Sequence, residues 1–196
     1  MKRIGIGIVI AMLLAFAPLV FAQSEDHGEV GVDAEDFMFH ALDNHMVGIN
    51  GRAAFNVHKY VQLEANMGWD FERAFNEFCT DCAPPVTTTR SKLRILHGEF
   101  GPKINLTAIH AVRPYLLLKG GFVNFSLANK PATFGNFTSN VDNLRSNNWS
   151  GVFYPGGGLE FFAGPFGLRF EAGDEMYFNN GAHNNLVIKA GPSIRF

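Results

Sequence analysis

Scarcity of cysteine, a near-zero net charge and the absence of long internal apolar runs exclude several classes of protein at once. The chain has two cysteines, adjacent as CTDC at Cys79 and Cys82. A structural zinc site normally takes four ligands, and no second pair exists. A thioredoxin-like redox motif needs a helix behind it in a βαβ setting, whereas APPVTTT follows here. A net charge of −2 over 196 residues gives no electrostatic footing for nucleic acid. No internal repeat is visible. The glycines after Pro155 lack the Lys-Ser/Thr that a phosphate loop requires.

What is present begins with a leader. Lys2 and Arg3 precede an uncharged apolar run from Ile4 to about Phe21, then Val20-Phe21-Ala22 before Gln23. This is the pattern of a secretory signal peptide, residues 1–22. The run approaches the roughly 18 residues of a spanning helix, but the small residue at position 22 and the polar QSEDHGE beyond it favour cleavage over anchoring. No cysteine follows the run to take a lipid. Residues 23–196 are then one exported domain, with no later run long enough to cross a bilayer as a helix. Export makes a local Cys79–Cys82 disulfide the expected state, ahead of free thiols. Abundant Phe (20) and Gly (21) suit an all-β chain.

The polarity period is two almost throughout. In YVQLEANMGWDF, Val61, Leu63, Ala65, Met67, Trp69 and Phe71 face one way, and Gln62, Glu64, Asn66, Gly68 and Asp70 the other. Successive side chains of a strand point to opposite faces, so this is one long amphipathic strand. Similar rows recur near 29–37, 46–57, 92–104, 113–124, 156–162, 167–175 and 186–196, which makes about eight. Alternation is poor before Leu96. Short and long connections alternate: loops near His40–His45, 72–90, 126–148 and 176–185 lie at one end, and turns near His58-Lys59, 106–111 and Ala163–Phe166 at the other.

Alternation does not say which row points inward. A soluble barrel buries its apolar row; a membrane barrel turns it to lipid. Three features favour lipid. Strands of 9–11 residues suit a bilayer. The polar row is rich in glycine (Gly48, Gly68, Gly101, Gly121, Gly158, Gly173, Gly191), which helps fill a narrow lumen and would only weaken a wetted surface. Aromatics (Trp69, Phe71, Phe122, Phe161, Phe196) sit toward the ends of the apolar row, as in the girdles of outer-membrane barrels. The inward row then holds Arg52, Lys103, Lys119, Arg169, Lys189 and Arg195 with Glu64, Asp70, Glu99, Glu160 and Glu171. These nearly balanced charges are expected to pair across the lumen.

LVIKAGPSIRF, ending on Ile194 and Phe196, resembles the terminal strand of outer-membrane β-barrel proteins. With the leader and the alternating loops, residues 28–196 resemble the small OmpA/OmpX-like barrels. The resemblance implies an eight-stranded antiparallel up-and-down transmembrane barrel with short periplasmic turns and long extracellular loops. It implies surroundings of outer-membrane lipid, and assembly by a machinery that reads Ile194 and Phe196. The function expected is structural or surface interaction with an extracellular ligand. A narrow pore is the alternative, and a loop-borne enzyme a remote one. His40, Asp43, His45 and His183 cluster near the loop end without diagnostic ligand spacing, so no metal, cofactor or catalytic residue is assigned. Three glycosylation-type triplets, NLT, NFT and NWS, carry no weight in a bacterial envelope.

Overall fold

A computed structural model describes residues 27–40, 44–78, 88–107, 111–128, 149–179 and 181–196. The leader and both cysteines lie outside them, as does Asp43. Eight strands follow in order: β1 Gly28–Phe39, β2 Asn44–His58, β3 Val61–Phe78, β4 Thr88–Asn105, β5 Val112–Ala128, β6 Trp149–Ala163, β7 Phe166–Phe178 and β8 Ala182–Arg195. Each pairs antiparallel with the next, and β1 pairs with β8, so the sheet is a closed barrel. Phe196 takes part in the closure: its N–H donates to the Gly28 carbonyl at 3.0 Å, and its carbonyl accepts from the Gly28 N–H at 2.9 Å.

The turn end is tight. Lys59 and Tyr60 join β2 to β3, and Gly164-Pro165 joins β6 to β7. Gly164 has φ +64, a conformation that a Cβ disfavours. At the other end the connections are residues 40–43, 79–87, 129–148 and 179–181. All four are shorter than the sequence suggested. After an irregularity between Asp70 and Arg73, β3 and β4 pair onward, Arg73 with Leu93 and Phe78 with Thr88. The 72–90 loop is therefore only 79–87. Likewise β5 runs to Ala128, and the last loop is 179–181 rather than 176–185. His45 lies in β2, not in a loop.

Around β1 to β5 the extensions go with a reversal of polarity along the barrel. Over most of its length the outside is apolar and the inside polar. On β3, Leu63, Met67 and Trp69 are exposed, while Gln62, Glu64, Asn66 and Asp70 are buried. Near the loop end the sense inverts. Phe37, Phe39, Met46, Leu93, Ile95, Val123, Phe125 and Tyr177 point inward as an apolar cluster. The outside there carries Asp36, His45, Glu72, Lys92 and Arg94. A pattern sought as apolar-outside therefore stops reading as a strand where the outer surface becomes wet and the lumen dry. From Val61 to Phe71 the outward row rises about 33 Å along the strand, or about 25 Å at the usual tilt, the height of an outer-membrane apolar band.

Candidate functional site

The lumen is the chemically dense part of the molecule. All eleven charged residues expected inside are buried there. Arg169, on β7, is the hub. Its Nη1 donates to Glu64 Oε2 at 2.6 Å and its Nη2 to Glu64 Oε1 at 2.9 Å, a two-pronged bond to β3 across the barrel. It also pairs with Glu171 and donates from Nε to the Tyr115 hydroxyl at 2.7 Å. The planar guanidinium fork suits such multiple recognition. Lys119 reaches Glu64 at 2.7 Å and Asn66 at 2.9 Å. Lys103 pairs with Glu160. Lys189 lies 3.3 Å from Glu35 and 3.8 Å from Glu99. Arg195 stands apart at the turn end, 3.6 Å from the Phe162 ring centroid and bonded to the Gly164 carbonyl at 3.1 Å.

Glycines of the inward row make this packing possible. A Cβ at Gly158 would meet the Tyr115 ring and hydroxyl; one at Gly173 would meet Tyr154; one at Gly68 would strike the His97 imidazole. Tyr154 in turn donates to Glu171 at 2.8 Å. The large cross-lumen side chains occupy volume that these positions leave open.

The charges are less balanced than the sequence suggested. Glu29, Asp33 and Glu35 of β1 and Glu175 of β7 are also buried. That gives nine carboxylates against six Lys and Arg side chains, with His97 as a further base. Arg52 takes two of the added acids, Asp33 and Glu29. The other two gather around His97, whose Nδ1 lies 2.6 Å from Glu175 Oε2 and whose Nε2 lies 2.7 Å from Glu35 Oε1. The signal was legible, since His97 precedes Glu99 by one inward position and β1 carries acids at three of its first four inward places, Glu29, Asp33 and Glu35.

Above this acidic layer sits the apolar cluster, which the polarity pattern of the sequence does not reveal. Phe39 stacks on Tyr177 with centroids 6.3 Å apart, Phe125 packs edge-on to Tyr177 at 5.0 Å, and Phe37 stands edge-on to His97 at 6.2 Å. It lies directly beneath the loop end of the barrel.

The loop-end histidines do not form a joint site among the described residues. His45 Nδ1 lies 3.0 Å from Asp36 on the outer wall. His183 stacks on Tyr177 at 4.8 Å and bonds the Asn179 carbonyl. The His40 N–H donates to Asn185. On the outer wall Ile194 is exposed, in line with the apolar row of β8.

A closed eight-stranded barrel, apolar outside and ionic inside, has the architecture of the small bacterial outer-membrane barrels. Among solved structures the chain is similar to Ail, the attachment invasion locus protein of Yersinia pestis, solved with the heparin analogue sucrose octasulfate. The TM-score is 0.51 at 15% identity, over 87% of this chain and 97% of that one. It is likewise similar to Neisserial surface protein A, with a TM-score of 0.50 at 12% identity, over 87% and 96% of the two chains. No protein-family model and no curated protein sequence matches. The likeness is one of fold: this chain is an OmpA/OmpX-like barrel in architecture.

Proposed function

We propose that the chain is an integral protein of the bacterial outer membrane. It serves as a closed scaffold and acts through the connections at its loop end, 79–87 and 129–148 above all. The observation that carries this reading is the polarity reversal. Water would not tolerate an outer wall bearing Leu63, Met67, Leu116, Leu118, Leu168 and Ile194 exposed together, and a bilayer requires one. The dry layer at Phe39, Phe125 and Tyr177, stacked over an ion-paired lumen, supports a scaffold over a solute path. Eight strands enclose only enough room for side chains. Ail, a barrel of the same fold, was crystallised with a sulfated sugar analogue; by analogy of architecture alone, the partner here is an extracellular ligand met by the loops. Catalysis has no part in this reading.

The test combines location and conductance. The protein should fractionate with outer membranes and show heat-modifiable gel mobility. In planar bilayers the purified barrel should give no openings of general-porin size. Stable porin-sized openings from the monomer would favour the narrow-pore alternative. Recovery as a soluble periplasmic protein would refute the membrane reading altogether.

A further inference from the structure

Most of the lumen's carboxylates are matched by a base, but one layer is not. Glu35, Asp70 and His97 bring ligand atoms within 4.8 Å of one another, and all three are buried. Asp70 is 0% exposed, and neither of its carboxylate oxygens has a hydrogen-bond partner. Leaving a buried charged acceptor bare is costly. Glu175 and Glu99 stand on the other side of the imidazole, 2.6 and 3.6 Å from Nδ1. Lys189 lies 3.3 Å from Glu35 and 3.8 Å from Glu99, and Lys119 lies 4.0 Å from Glu99. Even with His97 protonated, four carboxylates face three positive groups here.

Room is reserved for these side chains. A Cβ at Gly48 would come within 2.6 Å of Asp70 Oδ1, and one at Gly68 would collide with His97. The His97 ring is also held in one orientation, with Nε2 toward Glu35 at 2.7 Å and Nδ1 toward Glu175 at 2.6 Å. A histidine whose second nitrogen donates to a carboxylate is the usual arrangement of a metal ligand. One imidazole and two carboxylates are a donor set for a first-row transition dication, and poor for a soft thiolate-seeking metal.

We propose that Glu35, Asp70 and His97 form an intraluminal site for a divalent transition-metal ion. His97 binds through Nε2, and Glu175 orients the ring from Nδ1. The ion supplies the positive charge this layer lacks and gives Asp70 a partner. Phe37 and the apolar layer seal the loop side, so the ion enters as the barrel closes rather than afterwards. The inference does not depend on what the outer loops bind.

The experiment uses the full mature chain, refolded from denaturant into detergent with or without cobalt(II), then treated with chelator and desalted. Wild type refolded with cobalt should retain a single ion per barrel, with d–d absorption of an N/O-ligated centre. Cobalt added after folding should be removed by chelator. Asp70→Asn and His97→Gln should lose the retained ion while still showing heat-modifiable mobility. Glu175→Gln should keep the site but weaken it about 10–100-fold. Glu72→Gln, on the outer wall, should not change it. Wild type that folds with cobalt present yet retains none overturns the proposal, whatever the variants do. So does full retention by folded Asp70→Asn.

Discussion

Replacing Arg169 with Met tests the ionic lumen at its hub. The side chain is buried and bonds Glu64 through both nitrogens, Glu171 and Tyr115. Methionine matches the length of the stem without the charge. Removing one partner of a buried pair costs about 3–5 kcal/mol, because the other charge is stranded. Here the stranded acids are not bare. Glu64 keeps Lys119 at 2.7 Å, and Glu171 keeps the Tyr154 hydroxyl at 2.8 Å. The lower end, about 3 kcal/mol, is therefore expected, roughly a hundredfold in the folding equilibrium. The assay is denaturant unfolding of the barrel in detergent or vesicles, followed by tryptophan fluorescence and gel mobility. A cycle with Glu64→Gln should show a coupling of about 1–3 kcal/mol, since the two residues share one network. A loss under about 0.5 kcal/mol, or strict additivity, would refute the picture of mutual neutralisation.

Leu118→Arg, on the outer wall at 51% exposure, should cost about 2–4 kcal/mol in bilayers if the position is near the midplane; an unchanged unfolding midpoint in vesicles would count against lipid contact. Deleting Phe196, whose backbone closes β1 on the last strand, or introducing Ile194→Asp, should leave export intact and block assembly, read as loss of the heat-modifiable band from outer membranes. Phe125→Ala, which thins the apolar layer, combined with Lys119→Ala should raise bilayer conductance above a quiet wild type; no change would show that neither layer is the barrier. Cys79→Ser/Cys82→Ser should still fold, because a disulfide closing so short a loop constrains the unfolded chain little; labelling of both thiols without reductant would show no bond at all.

Most of the barrel was readable because a strand records its two surroundings in alternate residues. Rows such as Leu63 to Trp69 against Gln62 to Asp70 carry both the strand and its facing. The alternation loses its sense where both surroundings change together. Before Leu96, the inward residues Leu93 and Ile95 are apolar and the outward Lys92 and Arg94 are polar, which inverts the row and looked like loss of pattern. The same inversion hid the apolar layer, whose members come from five different strands and meet only on closure. Pairings were less legible than facing. Arg169 and Glu64 are 105 residues apart, and only the closed register sets them opposite each other. The acid excess was visible residue by residue in β1, yet it became a site only when β3, β4 and β7 brought Asp70, His97 and Glu175 against Glu35.

The most direct measurement of lipid facing is a single-cysteine scan of residues 62–71 in the Cys79→Ser/Cys82→Ser background, with the barrel in vesicles. Each position carries a spin label, and its accessibility to oxygen dissolved in lipid is compared with that to a polar relaxation agent. Odd positions, Leu63, Ala65, Met67, Trp69 and Phe71, are expected to be oxygen-accessible, with depth rising and falling across the bilayer. Even positions, Gln62, Glu64, Asn66, Gly68 and Asp70, are expected to be shielded from both. Odd positions reached chiefly by the polar agent would contradict a lipid-facing apolar wall.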